Sequence, residues 1–192
     1  VSTIKEVSPM KSVDRTFQSA ESATVTEQFK DAFRNHAAGV AVITADSGEG
    51  PTALTVTSVI SVSAEPPILA FSLSAFSGSA QSIKAANSLV VHLLQAGQMD
   101  IAQLCAQRGA DRFGDTSKWG RLASGEPVFL AAPVWIRGMI IDQMEIAGST
   151  VVAVQAVEIG TVEDAGRSDS ARPLIYHDRC WHSLCEVTKL QA

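Results

Sequence analysis

Residues 51–79 constrain this chain more than any other stretch. Two β-rich runs, residues 54–62 and 68–73, are separated by Pro66-Pro67, and Ser77-Gly78-Ser79 follows. Proline fixes φ and offers no amide hydrogen, so the pair predicts a break in regular sheet pairing and two strands rather than one. Thr55, Thr57, Ser58, Ser61, Ser63, Ser72, Ser77 and Ser79 crowd the stretch with hydroxyls. Hydroxyls and backbone amides at strand ends suit a polar heterocycle that carries a phosphate; they suit acid–base or metal chemistry poorly. From composition alone a second reading stands level with this one. Threonine is a common strand former and serine a common turn residue, and Ser77-Gly78-Ser79 ahead of a helix is an N-cap as readily as a phosphate seat.

The rest of the chain reads as strands with few helices. Residues 1–26 are polar, rich in Ser and Thr and without periodicity, and are expected to form a flexible N-terminal extension or an arm laid across a partner subunit. Phe29, Ala32, Phe33 and His36 fall at the spacing of one helix face, which predicts a helix over residues 27–38 that stops near Gly39. Residues 40–44 and 54–62 flank Asp46-Ser47-Gly48-Glu49-Gly50 and predict a hairpin. A helix is expected at 80–86, a buried strand at 89–94, a helix at 99–108 and a long polar loop at 109–126. Strands at 134–141, 150–159 and 174–184 follow, with a polar loop at 163–170. This pattern predicts a mainly β fold with short helices, a closed barrel with helical additions, in one domain over residues 27–188.

Composition closes several routes. Of 192 residues 46% are hydrophobic and 18% charged, which fits a globular domain with a sizeable core. The net charge of −5 and the scattered Lys and Arg disfavour nucleic-acid binding. No apolar run is long enough to span a bilayer, so a cytoplasmic protein without a membrane partner is expected. Cys105, Cys180 and Cys185 cannot all pair internally, which argues against a disulfide framework. No Gly-x-Ser-x-Gly, Gly-x-Gly-x-x-Gly or P-loop pattern is present. His177, Cys180, His182 and Cys185 are metal-ligand types, but on one continuous strand His177 would face away from Cys180 and His182, so no metal site is expected.

The order of the short motifs is more specific than any one of them. Gly39-Val40-Ala41-Val42-Ile43-Thr44 is followed by the hydroxyl-rich run from Thr55 to Ser63, then by Pro66-Pro67, Ser77-Gly78-Ser79, Val90-Val91-His92-Leu93-Leu94, Arg112-Phe113, Gly125-Glu126-Pro127 and Pro173-Leu174-Ile175-Tyr176. From about Phe29 to Leu184 this succession resembles the short-chain flavin reductases, the FMN-binding split-barrel family whose members often supply reduced flavin to two-component monooxygenases.

The resemblance implies a homodimeric split barrel that binds FMN, or sometimes FAD, in a groove near the dimer interface, with NADH or NADPH as electron donor. It implies that Thr55, Thr57, Ser58, Val59, Ser61, Val62 and Ser63 line the isoalloxazine edge, and that Ser72, Ser77 and Ser79 hold the phosphate side. His92 and Phe113 would lie near the flavin, Arg112 would meet the phosphate, and Trp181, with Arg179, would stand close to the flavin or nucleotide. Members of the family often carry Gly-Asp-His before the penultimate strand, with the His near the nicotinamide; here the matching residues are Gly148-Ser149-Thr150. The function implied is NAD(P)H-dependent flavin reduction that feeds a partner monooxygenase. No side chain is assigned as catalytic, because the cofactor carries the hydride chemistry. A flavin-binding carrier or sensor of the same fold is the alternative, and a split-barrel protein for pyridoxamine phosphate, heme or a deazaflavin is a third.

Overall fold

The computed structural model describes residues 18–74, 77–161 and 171–190, with side chains from residue 24 onward. It divides into two units, Val1–His36 and Ala37–Ala192.

In the first unit a single helix, α1, spans Gln18–Arg34. It begins well before residue 27, inside the stretch expected to be an extension. Gln18, Ala20, Glu21 and Ala23 are adequate helix formers with no apolar stripe, so periodicity alone misses them. Glu27–Lys30 at 2.7 Å and Asp31–Arg34 at 3.1 Å brace successive turns. The Phe29 and Phe33 rings meet at a tilt of 36°, their centroids 4.6 Å apart, on the predicted face. The helix ends at Arg34 rather than at residue 38, because Ala38 is already paired with Tyr176. Residues 1–17 lie outside the described residues.

The second unit is built on an antiparallel sheet of seven strands. These are β2 (Ala41–Asp46), β3 (Pro51–Val56), β4 (Ile60–Ala64), β5 (Pro67–Ser74), β6 (Ser88–Leu93), β9 (Val134–Ile146) and β10 (Ser149–Thr161), in the order β3-β2-β6-β9-β10-β5-β4. The expected single strand at 54–62 is therefore two strands that occupy opposite edges. Residues Thr57–Val59 carry the chain from one edge to the other, and β3 lies against β5. The sheet curls back on itself without β3 and β4 hydrogen-bonding to each other, which gives a split barrel.

Pro66-Pro67 makes a turn here, not a break in pairing. The Glu65–Pro66 bond is cis, and β4 pairs with β5 from Ala64↔Pro67 onward. Pro67 is tolerated because it is the first residue of its strand, where a missing N–H costs least. The long hairpin of β9 and β10 turns at Ala147-Gly148, both in the left-handed region at φ 47° and 81°.

Both faces of β2 are buried. Ala41, Ile43 and Ala45 face the barrel interior with Phe71, Leu73, Leu89, Val91, Val152 and Val154, closed by Ile83 of helix α2 (Gly78–Ala85). Val40 and Val42 face a second core made with Ile101, Ala102 and Cys105 of helix α3 (Met99–Ala106), and with Phe129 and Leu174. Phe129 belongs to a small hairpin, β7 (Trp119–Arg121) and β8 (Pro127–Phe129), that lies within and just beyond the expected loop at 109–126. The Thr44 hydroxyl donates to the Pro127 carbonyl and fastens this hairpin to β2.

A third sheet contains β1 (Ala38–Gly39), β11 (Leu174–His177) and β12 (Cys180–Ser183). The expected strand at 174–184 is thus a hairpin. Asp178 and Arg179 form its turn at φ 46° and 62°. This corrects the face argument for the C-terminal Cys and His residues. His177 stands opposite Cys180 and shares a face with His182, the two rings 5.7 Å apart. Among the described residues no group of three His, Cys, Asp or Glu side chains is arranged to hold a metal ion. The expected loop at 163–170 lies outside the described residues.

Candidate functional site

The hydroxyl-rich stretch folds into one rim beside the split. The Ser58 hydroxyl accepts from the Ser72 amide at 2.9 Å, and the Ser77 amide donates to the Ser74 carbonyl at 3.1 Å. The crossing residues Thr57 and Ser58 are thereby held next to β5, which leads to the start of α2. Thr57 and Ser61 are exposed, whereas Val59 and Ser63 are half-buried, with Val59 packed against the interior core. Val62 is the extra residue of a bulge between Ser61 and Ser63 and points outward.

At the end of this rim a cleft of about 580 Å³ is lined by Leu54, Ser74, Ser77, Gly78, Ser79, Cys105, Ala106, Arg108, Gly109 and Arg112. Its size is within the range of small-molecule sites. Ser77 occupies the N-cap position of α2 but makes no side-chain capping bond. That observation separates the two readings left level by composition: the hydroxyl is not spent on the helix. The first-turn amides of any helix lack intrahelical partners and carry the positive end of its dipole. Two arginines and three serines therefore converge on a cleft whose lining has no carboxylate. Such a set is chemically suited to a phosphate ester.

Arg112 and Arg108 are held differently. The Arg112 guanidinium donates from Nε to the Cys105 carbonyl at 3.3 Å and from Nη2 to the Gln107 carbonyl at 2.9 Å. It thus closes the C-terminal end of α3 and offsets the negative end of that helix where it meets the cleft. Arg108 is exposed and has no hydrogen bond or ion pair among the described residues. Sequence reading missed it by treating it as the last residue of a helix. The helix in fact ends at Ala106, and Gly109 at φ 74° turns the chain there. Cys105 also lines the cleft, but burial pushes its thiol up to about 12, against the opposing charge of Arg112, so it is not a nucleophile at neutral pH.

Four expected site residues sit elsewhere. The Thr55 hydroxyl donates to the Ala102 carbonyl at 2.6 Å and binds β3 to α3 on the far side of the strand from the barrel interior. His92 is fully buried. Its Nδ1 is 3.0 Å from the Val42 carbonyl, and its Nε2 accepts from the Phe129 amide at 3.1 Å. Because Nε2 accepts, Nδ1 carries the proton, and burial lowers the ring's pKa to about 4. A neutral ring with both nitrogens occupied has nothing to offer a ligand. Phe113 stacks on Phe129 at 5.6 Å and meets Trp119 edge-on at 4.9 Å, while Trp181 packs on Tyr176 at 4.9 Å. All three contacts belong to the second core. Thr150, where the resemblance would place a His, is buried opposite Leu73.

Glu126 of the Gly125-Glu126-Pro127 motif is the centre of a buried polar cluster that sequence reading did not assign. Glu126 is 4% exposed and accepts from Ser88 Oγ at 2.5 Å, Arg137 Nε at 2.8 Å and Ser124 Oγ. Burial alone would raise its pKa, but the bonds from Ser124, Ser88 and Arg137 outweigh that and hold the carboxyl down to about 2. The group fastens the β8 approach to β6 and β9.

Comparison with known proteins identifies the family and the fold. Residues 33–184 match the flavin reductase like domain. An NADH:FMN oxidoreductase of Rhodococcus erythropolis is 40% identical over 150 residues, which span 78% of this chain and 77% of that protein. The crystal structure of a flavin reductase domain protein from Arthrobacter sp. FB24 superimposes with a TM-score of 0.78 at 30% identity, covering 87% of this chain and 98% of that one. Nitrilotriacetate monooxygenase component B from Mycobacterium thermoresistibile shares the fold with a TM-score of 0.77 at 21% identity, over 89% and 93% of the two chains. The extent of the domain match and the identity to the Rhodococcus protein establish that this chain belongs to the family of flavin reductase-like domains.

Proposed function

We propose that the protein is an NAD(P)H-dependent flavin reductase whose phosphate seat is the cleft of Ser77, Ser79, Arg108 and Arg112. The observation that carries the reading is the uncapped Ser77 at the start of α2, facing two arginines across a cleft without carboxylates. A flavin held there would supply the redox chemistry, as acceptor for a hydride from the nicotinamide nucleotide. The protein's own residues bind and orient. Arg112, fixed against α3, anchors the phosphate end, and Thr57 and Ser58 beside Ser72 present hydroxyl and backbone groups to the ring edge. FMN as flavin and NADH as donor are favoured by the Rhodococcus relative, described as an NADH:FMN oxidoreductase.

The working unit is a homodimer. Ile60 and Val62 on β4, Ile141, Met144 and Ile146 on β9, and Ile159 on β10 are each about half or more exposed in the single chain. Apolar side chains at that density on a sheet are the usual mark of an interface between copies. Reduced flavin would pass to a monooxygenase component, a role supported by the shared fold with the monooxygenase component B. Three free thiols fit a reducing, cytoplasmic setting.

The test is NADH and NADPH consumption by purified protein with FMN, FAD or no flavin. The reading predicts flavin-dependent consumption. Colourless protein that binds neither flavin and leaves both nucleotides unconsumed would overturn it.

A further inference from the structure

We infer that Arg108 is the residue by which this protein distinguishes a phosphorylated flavin from an unphosphorylated one, an inference that rests on the flavin-reductase reading and assigns the discrimination to one side chain. Arg112 and Arg108 line the same cleft with Ser77 and Ser79, but they differ in how they are held. Arg112 is engaged on two sides by the Cys105 and Gln107 carbonyls, and its charge compensates the C-terminal end of α3. It is a fixed part of the wall, present whatever the ligand.

Arg108 has no such ties among the described residues. It is exposed, and among the described residues no carboxylate or carbonyl is bonded to it. Gly109, at a left-handed φ of 74°, follows it in the chain, and both residues line the cleft. The chain carries a net charge of −5, yet no Asp or Glu lines this cleft. A phosphate seated against Ser77 and Ser79 would gain charge-assisted hydrogen bonds from a guanidinium that has no competing partner to give up. A flavin without phosphate, riboflavin, would gain nothing from Arg108.

The experiment compares kcat/KM for FMN and for riboflavin, with NADH at saturation, in wild type, Arg108→Ala, Arg108→Lys and Arg108→Glu. Thermal melts of all four check that the fold is kept, as expected for an exposed side chain without partners. The inference predicts that the FMN-to-riboflavin ratio of kcat/KM falls about tenfold in Arg108→Ala, the size of one charge-assisted contact at a wetted site. The ratio falls further in Arg108→Glu and is mostly restored in Arg108→Lys. A ratio in Arg108→Ala within about twofold of wild type, or equal losses with both flavins, overturns the inference while leaving flavin reduction standing. Wild-type protein that consumes no NADH with either flavin overturns the flavin reading itself, and this inference with it.

Discussion

The Ser58 hydroxyl accepts a hydrogen bond from the Ser72 amide at 2.9 Å and stands 3.3 Å from the Ser72 carbonyl, to which it donates. One side chain thereby fixes the segment that crosses from one edge of the barrel sheet to the other. It also sets the hydroxyl rim beside the cleft. Ser58→Ala removes that tie at a half-buried position, which costs about 1 kcal/mol and lowers Tm by roughly 2–4 °C. Because the rim moves with it, FMN affinity measured by fluorescence quenching should fall about three- to tenfold. Unchanged affinity in a variant with lowered Tm would separate the rim from the site.

His92 makes folding sensitive to mild acid. Its pKa is lowered to about 4 in the folded protein by burial, against about 6.5 in an unfolded chain. Between these values the unfolded chain binds the proton and the folded one does not. The contribution is therefore complete above pH 6.5 and is lost as pH falls toward 4, by about 3 kcal/mol in all. Thermal melts of wild type and His92→Asn at pH 7, 5.5 and 4 should show the wild type losing more Tm across that window. Parallel curves would contradict the neutral, buried ring.

Glu126 acts in a lower window. Its carboxyl is held down to about 2, so its contribution is present above the ordinary carboxylate value near 4.5 and is lost as pH falls through 2. Glu126→Gln leaves the half-buried Arg137 without its counter-charge. At neutral pH this should cost about 3 kcal/mol, or roughly 6–12 °C in Tm. The gap to wild type should narrow in urea melts repeated near pH 2.

The exposed β9 face tests the oligomer. Ile141 is 48% exposed in the single chain, so Ile141→Glu should leave the fold intact. Sedimentation velocity should show dimeric wild type and monomeric variant at micromolar concentration. A monomeric wild type, or a variant that remains dimeric, would contradict the homodimer.

Much of this fold is legible in the sequence wherever local pattern and tertiary role coincide. The β2–β3 hairpin around Asp46-Ser47-Gly48-Glu49-Gly50, the buried β6 and the helix after Ser77 are examples. Strand propensity cannot say which edge a residue joins, so residues 54–62 read as one strand although Thr57–Val59 crosses the barrel. Likewise Asp178-Arg179 carries no glycine, and its left-handed turn is invisible to composition. At the candidate site, Ser77, Ser79 and Arg112 are singled out by sequence and line one cleft. That His92 and Phe113 pack in the second core is not legible in sequence, because a buried His with two backbone partners and an open one have the same neighbours in the chain. Arg108 is hidden for the opposite reason. Its place on the cleft, without a partner among the described residues, is visible only in the packing.

The most direct measurement is an anaerobic absorbance titration of purified protein with stoichiometric FMN, recorded before and after addition of NADH. Bleaching of the flavin band with matching loss of NADH absorbance is predicted, with an initial rate that saturates in FMN. A flavin band that survives excess NADH, in protein that binds FMN, would contradict flavin reduction as the function.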